Sequence, residues 1–135
     1  MRQINYILIV DSAFENNTYK QRHQRAVNRK YHFIVNRDNL ISNPLDIRLS
    51  GTFLDNYDSC SIGIYVEGSI QDSLPDEMEL KRWKLKPTVV IINLLVRLRF
   101  LFPSAKILGA SEINGRVIHP NVYMNHLRRM LSDLP

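Results

Sequence analysis

Tyr31-His32-Phe33-Ile34-Val35-Asn36-Arg37-Asp38-Asn39-Leu40-Ile41 is the stretch on which the fold turns. Apolar and polar side chains alternate from Tyr31 to Asn36, the period of two expected of a strand with one buried face. Arg37-Asp38-Asn39 reads as a tight turn, because Asp and Asn tolerate left-handed backbone and bond their own main chain. Leu40-Ile41 then begins a return strand. By the same alternation, Tyr31 and His32 are expected on opposite faces of the first strand.

Working outward, Asn5 to Val10 is a nearly continuous apolar run, which suits a central strand buried on both faces. Asp11-Ser12-Ala13 closes it. Asn16-Asn17-Thr18 is a helix-start cluster whose side-chain oxygens can accept from unpaired backbone N–H groups. Tyr19 to Lys30 follows as a basic amphipathic helix carrying Lys20, Arg22, Arg25, Arg29 and Lys30, with His23 and Val27 one turn apart. Beyond the hairpin, Ser42 to Ser50 is irregular around Pro44, and Asp55 to Asp58 is rich in turn formers. Ser61 to Glu67 is a strand with Ile62, Ile64 and Val66 on one face, and its Gly63 suits a close backbone approach or a bulge. Gln71 to Trp83 reads as a polar surface loop. For Val89 to Phe102 the β-branched start favours a strand, whereas the length and Pro87 near the first helical position favour a buried helix ended by Pro103. The helix is the assignment. Lys106 to Gly109 is a short strand and Asn121 to Leu134 a last helix. The order β-α-β-β-β-α-β-α predicts an α/β fold, a mixed central sheet flanked by helices.

The composition bounds what such a chain does. Its 135 residues amount to one domain, 1–135, and 44% hydrophobic with 23% charged residues predicts a packed core. Cys60 is the single cysteine, which excludes an intrachain disulfide and a cysteine-based zinc cluster and fits a reducing compartment. The apolar run Tyr6 to Val10 is shorter than the about 7–15 residues of a signal-peptide core. Val89 to Val96 falls short of the roughly 20 residues of a membrane span. Neither export by a standard signal nor a membrane segment is therefore expected. A net charge of +5 and a pI near 9.6 permit a polyanionic partner, whether nucleic acid, an anionic lipid surface or a cell-wall polymer, and are equally met by a soluble protein with a positive surface.

Four local patterns, in order, carry a resemblance. Ile7-Leu8-Ile9-Val10-Asp11-Ser12-Ala13 resembles a first strand that ends in His-Cys-Ser-Ala. Tyr31-His32-Phe33-Ile34-Val35 with Arg37-Asp38 resembles a Tyr-His-aromatic strand followed by Arg-Asp-Gly. Ser61-Ile62-Gly63-Ile64 with Glu67-Gly68 resembles Asn-Ser-Ile-Gly-Ile leading to Gly-Gly. Pro103-Ser104-Ala105-Lys106-Ile107-Leu108-Gly109 resembles the Tyr-Pro-x-Ala-x-Ile-x-Gly that precedes a metal-binding His. Together they resemble the zinc-dependent N-acetylmuramoyl-L-alanine amidases of the phage-lysozyme and peptidoglycan-recognition-protein type, over most of the chain. The resemblance implies that family's fold, a peptidoglycan substrate, and a zinc held by three side chains that activates water.

The chain departs from the family at the metal. Val10 stands where the first ligand is expected, or Asp11 if the alignment slips by one. Ala110 stands at the second, in Gly109-Ala110-Ser111-Glu112 where Gly-His-Arg-Asp is expected. His119, before Pro120, is near the third. Alanine and valine have no donor atom, so zinc is not supported. Tyr31 is retained at the position of the family's catalytic Tyr, Arg116 represents its basic residue in poor register, and Asn39 and Ser69 replace two of its glycines. The remaining histidines, His23, His32 and His126, are expected at the surface or in packing. A metal-free site from Ser12, Ser111 and His119 has nothing in the spacing to demand it.

The leading expectation is a catalytically inactive homologue that keeps a binding groove lined by Tyr31, Asn56, Ser61, Arg116 and His119 and takes a muropeptide or a protein partner. Two other readings stay open. One is an active cell-wall amidase with a rearranged zinc site. The other is a nucleic-acid-binding module using the basic face of Tyr19 to Lys30. The resemblance and the absence of a leader together suggest a cytoplasmic protein, or one encoded by a phage or mobile element.

Overall fold

The computed structural model describes residues 2–11, 19–36, 40–67, 87–113 and 122–132. Five strands form one sheet: β1 (Tyr6–Asp11), β2 (Phe33–Val35), β3 (Ile41–Ser42), β4 (Ser61–Val66) and β5 (Lys106–Gly109), in the order β3-β2-β4-β1-β5. β1 runs parallel to both β4 and β5, β2 runs parallel to β4, and β3 returns antiparallel at the edge. Among the described residues the helices are α1 (Tyr19–Asn28), α2 (Pro87–Leu101), the single turn α3 (Ala110–Ile113) and α4 (Val122–Ser132). A 3-10 turn, Asp58–Cys60, leads into β4. No described helix is long and apolar enough to cross a membrane.

Side-chain alternation in the central strands divides the core in two. Ile7 and Ile9 of β1 and Ile62, Ile64 and Val66 of β4 face α2 and α4, where Ile91, Leu95, Leu98, Met124 and Leu127 are buried against them. Leu8 and Tyr65 point the other way, into a smaller cluster with Ala26 of α1, Tyr31, Ile34 and Phe53. The sheet therefore has apolar packing on both faces, as the continuous apolar run in β1 requires.

The ambiguous segment after Pro87 is a helix. Val90, Ile91, Leu94, Leu95 and Leu98 recur with helical spacing and are buried, while Val89, Asn93, Val96 and Phe100 are exposed. Pro87 is its first residue and Pro103 lies just past its end. The predicted hairpin is present: Val35 pairs with Ile41 and Ile34 with Ser42. Its turn residues 37–39 lie outside the described residues, as do Ser12, Asn16 to Thr18, the segment Gln71 to Trp83, Arg116 and His119.

Two local features differ from the sequence expectation. The single turn α3 directly after β5 carries no separate sequence signal and was not expected. In addition, Tyr31 and His32 do not take opposite faces of a strand. The regular ladder begins only at Phe33, the backbone bends at His32, and both rings reach Phe53.

Candidate functional site

The site is built from the end of α1. That helix closes with a two-bond C-cap, in which the Lys30 N–H donates to the Val27 carbonyl at 3.0 Å and the Tyr31 N–H to the Ala26 carbonyl at 3.3 Å. This pattern needs a left-handed residue after the helix, and Lys30 supplies it with φ 56°. The cap drives Tyr31 down onto Ala26, so its ring enters the smaller core cluster. There it stacks on Phe53, with centroids 5.1 Å apart, and tilts against Tyr65 at 5.2 Å.

The loop that carries Phe53 is tied to the same helix end. Thr52 donates to the Arg29 carbonyl through both its N–H and its hydroxyl, each at 3.1 Å. Gly51 and Gly63 make room for the Phe53 ring: a Cβ on Gly63 would lie 2.7 Å from its nearest ring carbon. Farther along, the Leu54 N–H donates to Asp58 Oδ1 at 2.7 Å and the Asp58 N–H to the Leu54 carbonyl at 3.1 Å. This closed turn holds Asn56 at φ 71°, a left-handed conformation that Asn tolerates better than most residues.

These tethers frame an open pocket of about 670 Å³ on the α1 side of the sheet. Arg29, Thr52, Asp55 and Asn56 supply its polar lining, and Phe53, Leu54, Tyr57 and Ile113 of α3 its apolar and aromatic lining. Val10 and Leu108 pack into the cluster beneath it.

Of the groove residues expected from sequence, Asn56 lines this pocket. Tyr31 lies under it: at 2% exposure it is a core residue that supports Phe53 and does not present its ring to a ligand. Ser61 is not part of it. It is fully buried at the start of β4, beside Tyr6, and its hydroxyl has no hydrogen-bond partner among the described residues. Arg116 and His119 fall outside the described residues. Arg29 was legible only as one charge on a basic helix, and nothing in the sequence joined it to Asp55 and Tyr57. The pair of glycines flanking Phe53, Gly51 and Gly63, was the available signal.

The two strand-end positions that the resemblance assigns to metal ligands come together. Val10 and Ala110 each follow the paired residues Ile9 and Gly109 in neighbouring strands. Val10 is half-buried against the apolar cluster, and Ala110 is 3% exposed at the start of α3. Both offer hydrocarbon only, so these positions do not fit a zinc that needs nitrogen, oxygen or sulfur donors. Among the described residues no group of three His, Cys, Asp or Glu side chains is placed to hold a metal. A different polar contact marks this end of β5. Glu112 Oε1 accepts from the Gly109 N–H at 2.9 Å and from Arg128 of α4 at 2.8 Å, while Oε2 accepts from Arg128 at 2.9 Å. Arg128 also donates to the Ile107 carbonyl at 3.0 Å. The Arg128 bond, assisted by the Gly109 N–H, holds the Glu112 carboxyl below its usual pKa.

His32 is a buried structural group. The Gly63 N–H donates to its Nδ1 at 3.0 Å, so that nitrogen carries no proton. The neutral ring then has its proton on Nε2 and donates to the Leu49 carbonyl at 2.7 Å. The Arg2 guanidinium lies 2.9 Å from the same Nε2 and is anchored on the carbonyls of Asp58 and Ile47. Burial, with Arg2 adding to it, pushes the His32 pKa down against the opposing Leu49 hydrogen bond. His23 and His126 lie on α1 and α4.

The chain has the fold of the N-acetylmuramoyl-L-alanine amidases and peptidoglycan recognition proteins, an α/β fold with a mixed five-stranded sheet and flanking helices. It is similar to the N-acetylmuramoyl-L-alanine amidase LysC of Clostridium intestinale, with 14% identity over 96% of this chain and 87% of that one and a TM-score of 0.67. The Ph2119 endolysin of a Thermus scotoductus bacteriophage gives 16% identity, 96% and 85% coverage and a TM-score of 0.68. A human peptidoglycan recognition protein, solved in complex with a muramyl pentapeptide, gives 18% identity, 99% and 87% coverage and a TM-score of 0.59. No protein-family model and no curated protein matches the sequence.

Proposed function

We propose that this protein is a member of the amidase and peptidoglycan-recognition family that binds muropeptides without hydrolysing them. The observation that carries the reading is the pair of side chains at the carboxyl ends of β1 and β5. Val10 and Ala110 follow the paired residues Ile9 and Gly109 in neighbouring strands, at the positions where the sequence resemblance expects two zinc ligands, and neither has a donor atom. Amide hydrolysis by this route needs a metal to lower the pKa of water and polarise the scissile carbonyl. A single histidine at position 119 cannot retain one against solvent. The binding half of the reading is supported by the pocket above Phe53. Its exposed lining is mainly polar, from Arg29, Thr52, Asp55 and Asn56, with a smaller apolar and aromatic part, a mixture that suits a polar ligand bearing amides and a few methyl groups.

The experiment has three arms on the purified chain: elemental analysis for zinc, incubation with a muramyl tetrapeptide followed by chromatography for release of the peptide, and calorimetric titration with the same compound. Heat of binding with an intact ligand and no stoichiometric zinc is the expected result. Release of the peptide with a free L-alanine amine from the muramyl lactyl group, abolished by chelator and restored by zinc, would show instead that other residues rebuild an active centre. Absence of binding would end the muropeptide reading.

A further inference from the structure

We propose that the outer side of α2 docks on an anionic lipid surface. This side lies across the sheet from the pocket, and its role does not depend on the muropeptide reading. Val90, Ile91, Leu94, Leu95 and Leu98 turn the inner side of α2 into the larger core cluster. Val89, Asn93, Val96 and Phe100 recur every three or four residues and so form one line along the opposite, exposed side. Leu101 adds to it in the last turn. Phe100 is 86% exposed and Leu101 56%. An apolar line left in water on a folded surface marks a site of interaction. Its end is held in place by the backbone. The Phe102 N–H donates to the Leu98 carbonyl at 2.8 Å and the Ala105 N–H to the Phe102 carbonyl at 3.1 Å, while the Phe102 ring packs against the core. Of three consecutive apolar residues, one is drawn inward and two are presented outward.

Charge decides between the possible occupants. By helical spacing Arg97 and Arg99 lie on opposite flanks of the apolar line. Arg97 is exposed, and Arg99 donates to the Leu131 carbonyl of α4 at 3.2 Å. Lys106, exposed at the start of β5, follows the turn. From Lys81 to Ser111 the sequence has seven Lys or Arg and no Asp or Glu. A second copy of the chain would bring these cations together with no acidic residue of the segment to meet them, so self-pairing is disfavoured. A soluble polyanion would use the cations and leave the apolar line in water. An anionic bilayer uses both, because its headgroups attract Lys and Arg and the boundary with the acyl chains takes Phe100 and Leu101. The stretch entering α2, Lys81-Arg82-Trp83-Lys84-Leu85-Lys86, lies outside the described residues and has the composition of a bilayer interface, where Trp sits at headgroup level beside Lys and Arg. Docked in this way, the chain keeps α1 and the pocket on the face of the sheet turned away from the lipid.

The test is flotation of the full chain with two kinds of vesicle, one of phosphatidylglycerol and phosphatidylcholine in equal parts and one of phosphatidylcholine alone. The chain should float with the anionic vesicles and not with the neutral ones, and added salt should weaken the binding. Arg97→Gln should weaken it about fivefold, the effect of one cation beside an anionic surface. Phe100→Ser combined with Leu101→Ser should weaken it about tenfold or more, since two apolar side chains no longer enter the acyl boundary. The same double variant should keep the wild-type urea midpoint and any wild-type affinity for heparin, a polyanion without an apolar phase. Wild type that binds heparin and neither vesicle overturns the proposal in favour of a soluble polyanion. So does a double variant that binds anionic vesicles as tightly as wild type. A urea midpoint that drops in the double variant would show that the chain itself covers these side chains. A wild-type dimer in sedimentation that the double variant converts to monomer would show that a second copy covers them. Either result overturns the lipid assignment.

Discussion

Replacing His32 tests whether its ring is a neutral structural clamp. The ring is fully buried and occupies two backbone groups, the Gly63 N–H through Nδ1 and the Leu49 carbonyl through Nε2. His32→Ala removes both partners. A buried backbone group left unsatisfied costs about 1–3 kcal/mol, and loss of the ring beside Phe53 adds a cavity term. A total loss of roughly 3–4 kcal/mol is expected, allowing for water entering the space. The pH dependence has a definite sign. Burial lowers the folded-state pKa of His32 below its unfolded value of about 6.5. Below that value the unfolded chain takes up a proton that the folded chain resists, so stability falls as the solution is acidified, until the lowered folded pKa is reached. The slope from this residue approaches about 1.4 kcal/mol per pH unit in that window. Urea denaturation of wild type and His32→Gln between pH 7 and pH 5 reads it directly. Glutamine does not titrate, and subtraction cancels His23, His119 and His126. The stability advantage of wild type over the variant should shrink as pH drops from 6.5. A difference that stays constant, or widens, would refute a neutral clamp, and an unchanged urea midpoint for His32→Ala would refute the clamp altogether.

Gly63→Ala places a methyl group 2.7 Å from a Phe53 ring carbon and should cost about 1–3 kcal/mol in thermal or urea unfolding. Adding Phe53→Leu should recover part of that loss, because the ring is the obstacle. Lys30→Gly should stabilise the chain by about 0.5–1 kcal/mol, since Lys30 holds the left-handed position of the α1 cap that glycine adopts without steric cost. Glu112→Gln should destabilise by at most about 1 kcal/mol at neutral pH, given that both partners of the Arg128 pair are about one-third exposed. The Glu112 pKa is lowered on folding, so its contribution is present above the unfolded carboxyl value and is lost as pH falls through the folded one. Wild type and variant should converge in acid unfolding.

The sheet was legible because its information is local. Uninterrupted apolar runs marked β1 and β4, the short apolar run Phe33 to Val35 before Asn36 marked β2, and Pro87 with Pro103 bounded α2, each a pattern that backbone geometry enforces within a few residues. Tyr31 misled because it lies just before that pattern becomes regular. The α1 cap, two hydrogen bonds around a left-handed Lys30, decides where its ring goes, and lysine does not advertise that conformation as glycine would. Ser61 misled for a related reason: a place near Asn56 in sequence is not a place near it in space once the 3-10 turn Asp58–Cys60 has turned the chain into β4. The pocket was the least legible part. Arg29 and Asp55 are brought together by Thr52 bonding back to the end of α1, a tertiary contact with no periodic signature.

The end of β5 is held by a polar contact among its own neighbours. The packing of the sheet is supplied by the isoleucines and leucines that β1, β4, α2 and α4 bury against one another. What a bare strand end lacks is a partner for its outward backbone groups and a tether for the segment that follows. Glu112 provides both: one oxygen accepts the Gly109 N–H, and the carboxylate fastens α3 to Arg128 of α4, which in turn donates to the Ile107 carbonyl. The Arg128 pair and the Gly109 N–H hold the Glu112 carboxylate ionised. This clamp leaves the face that carries Phe53, Tyr57 and Ile113 unobstructed. The pocket is anchored to α1 through the bonds of Thr52 to Arg29, and it shares its support with the strand ends, since Val10 packs into the cluster beneath it and Ile113 of α3 lines it.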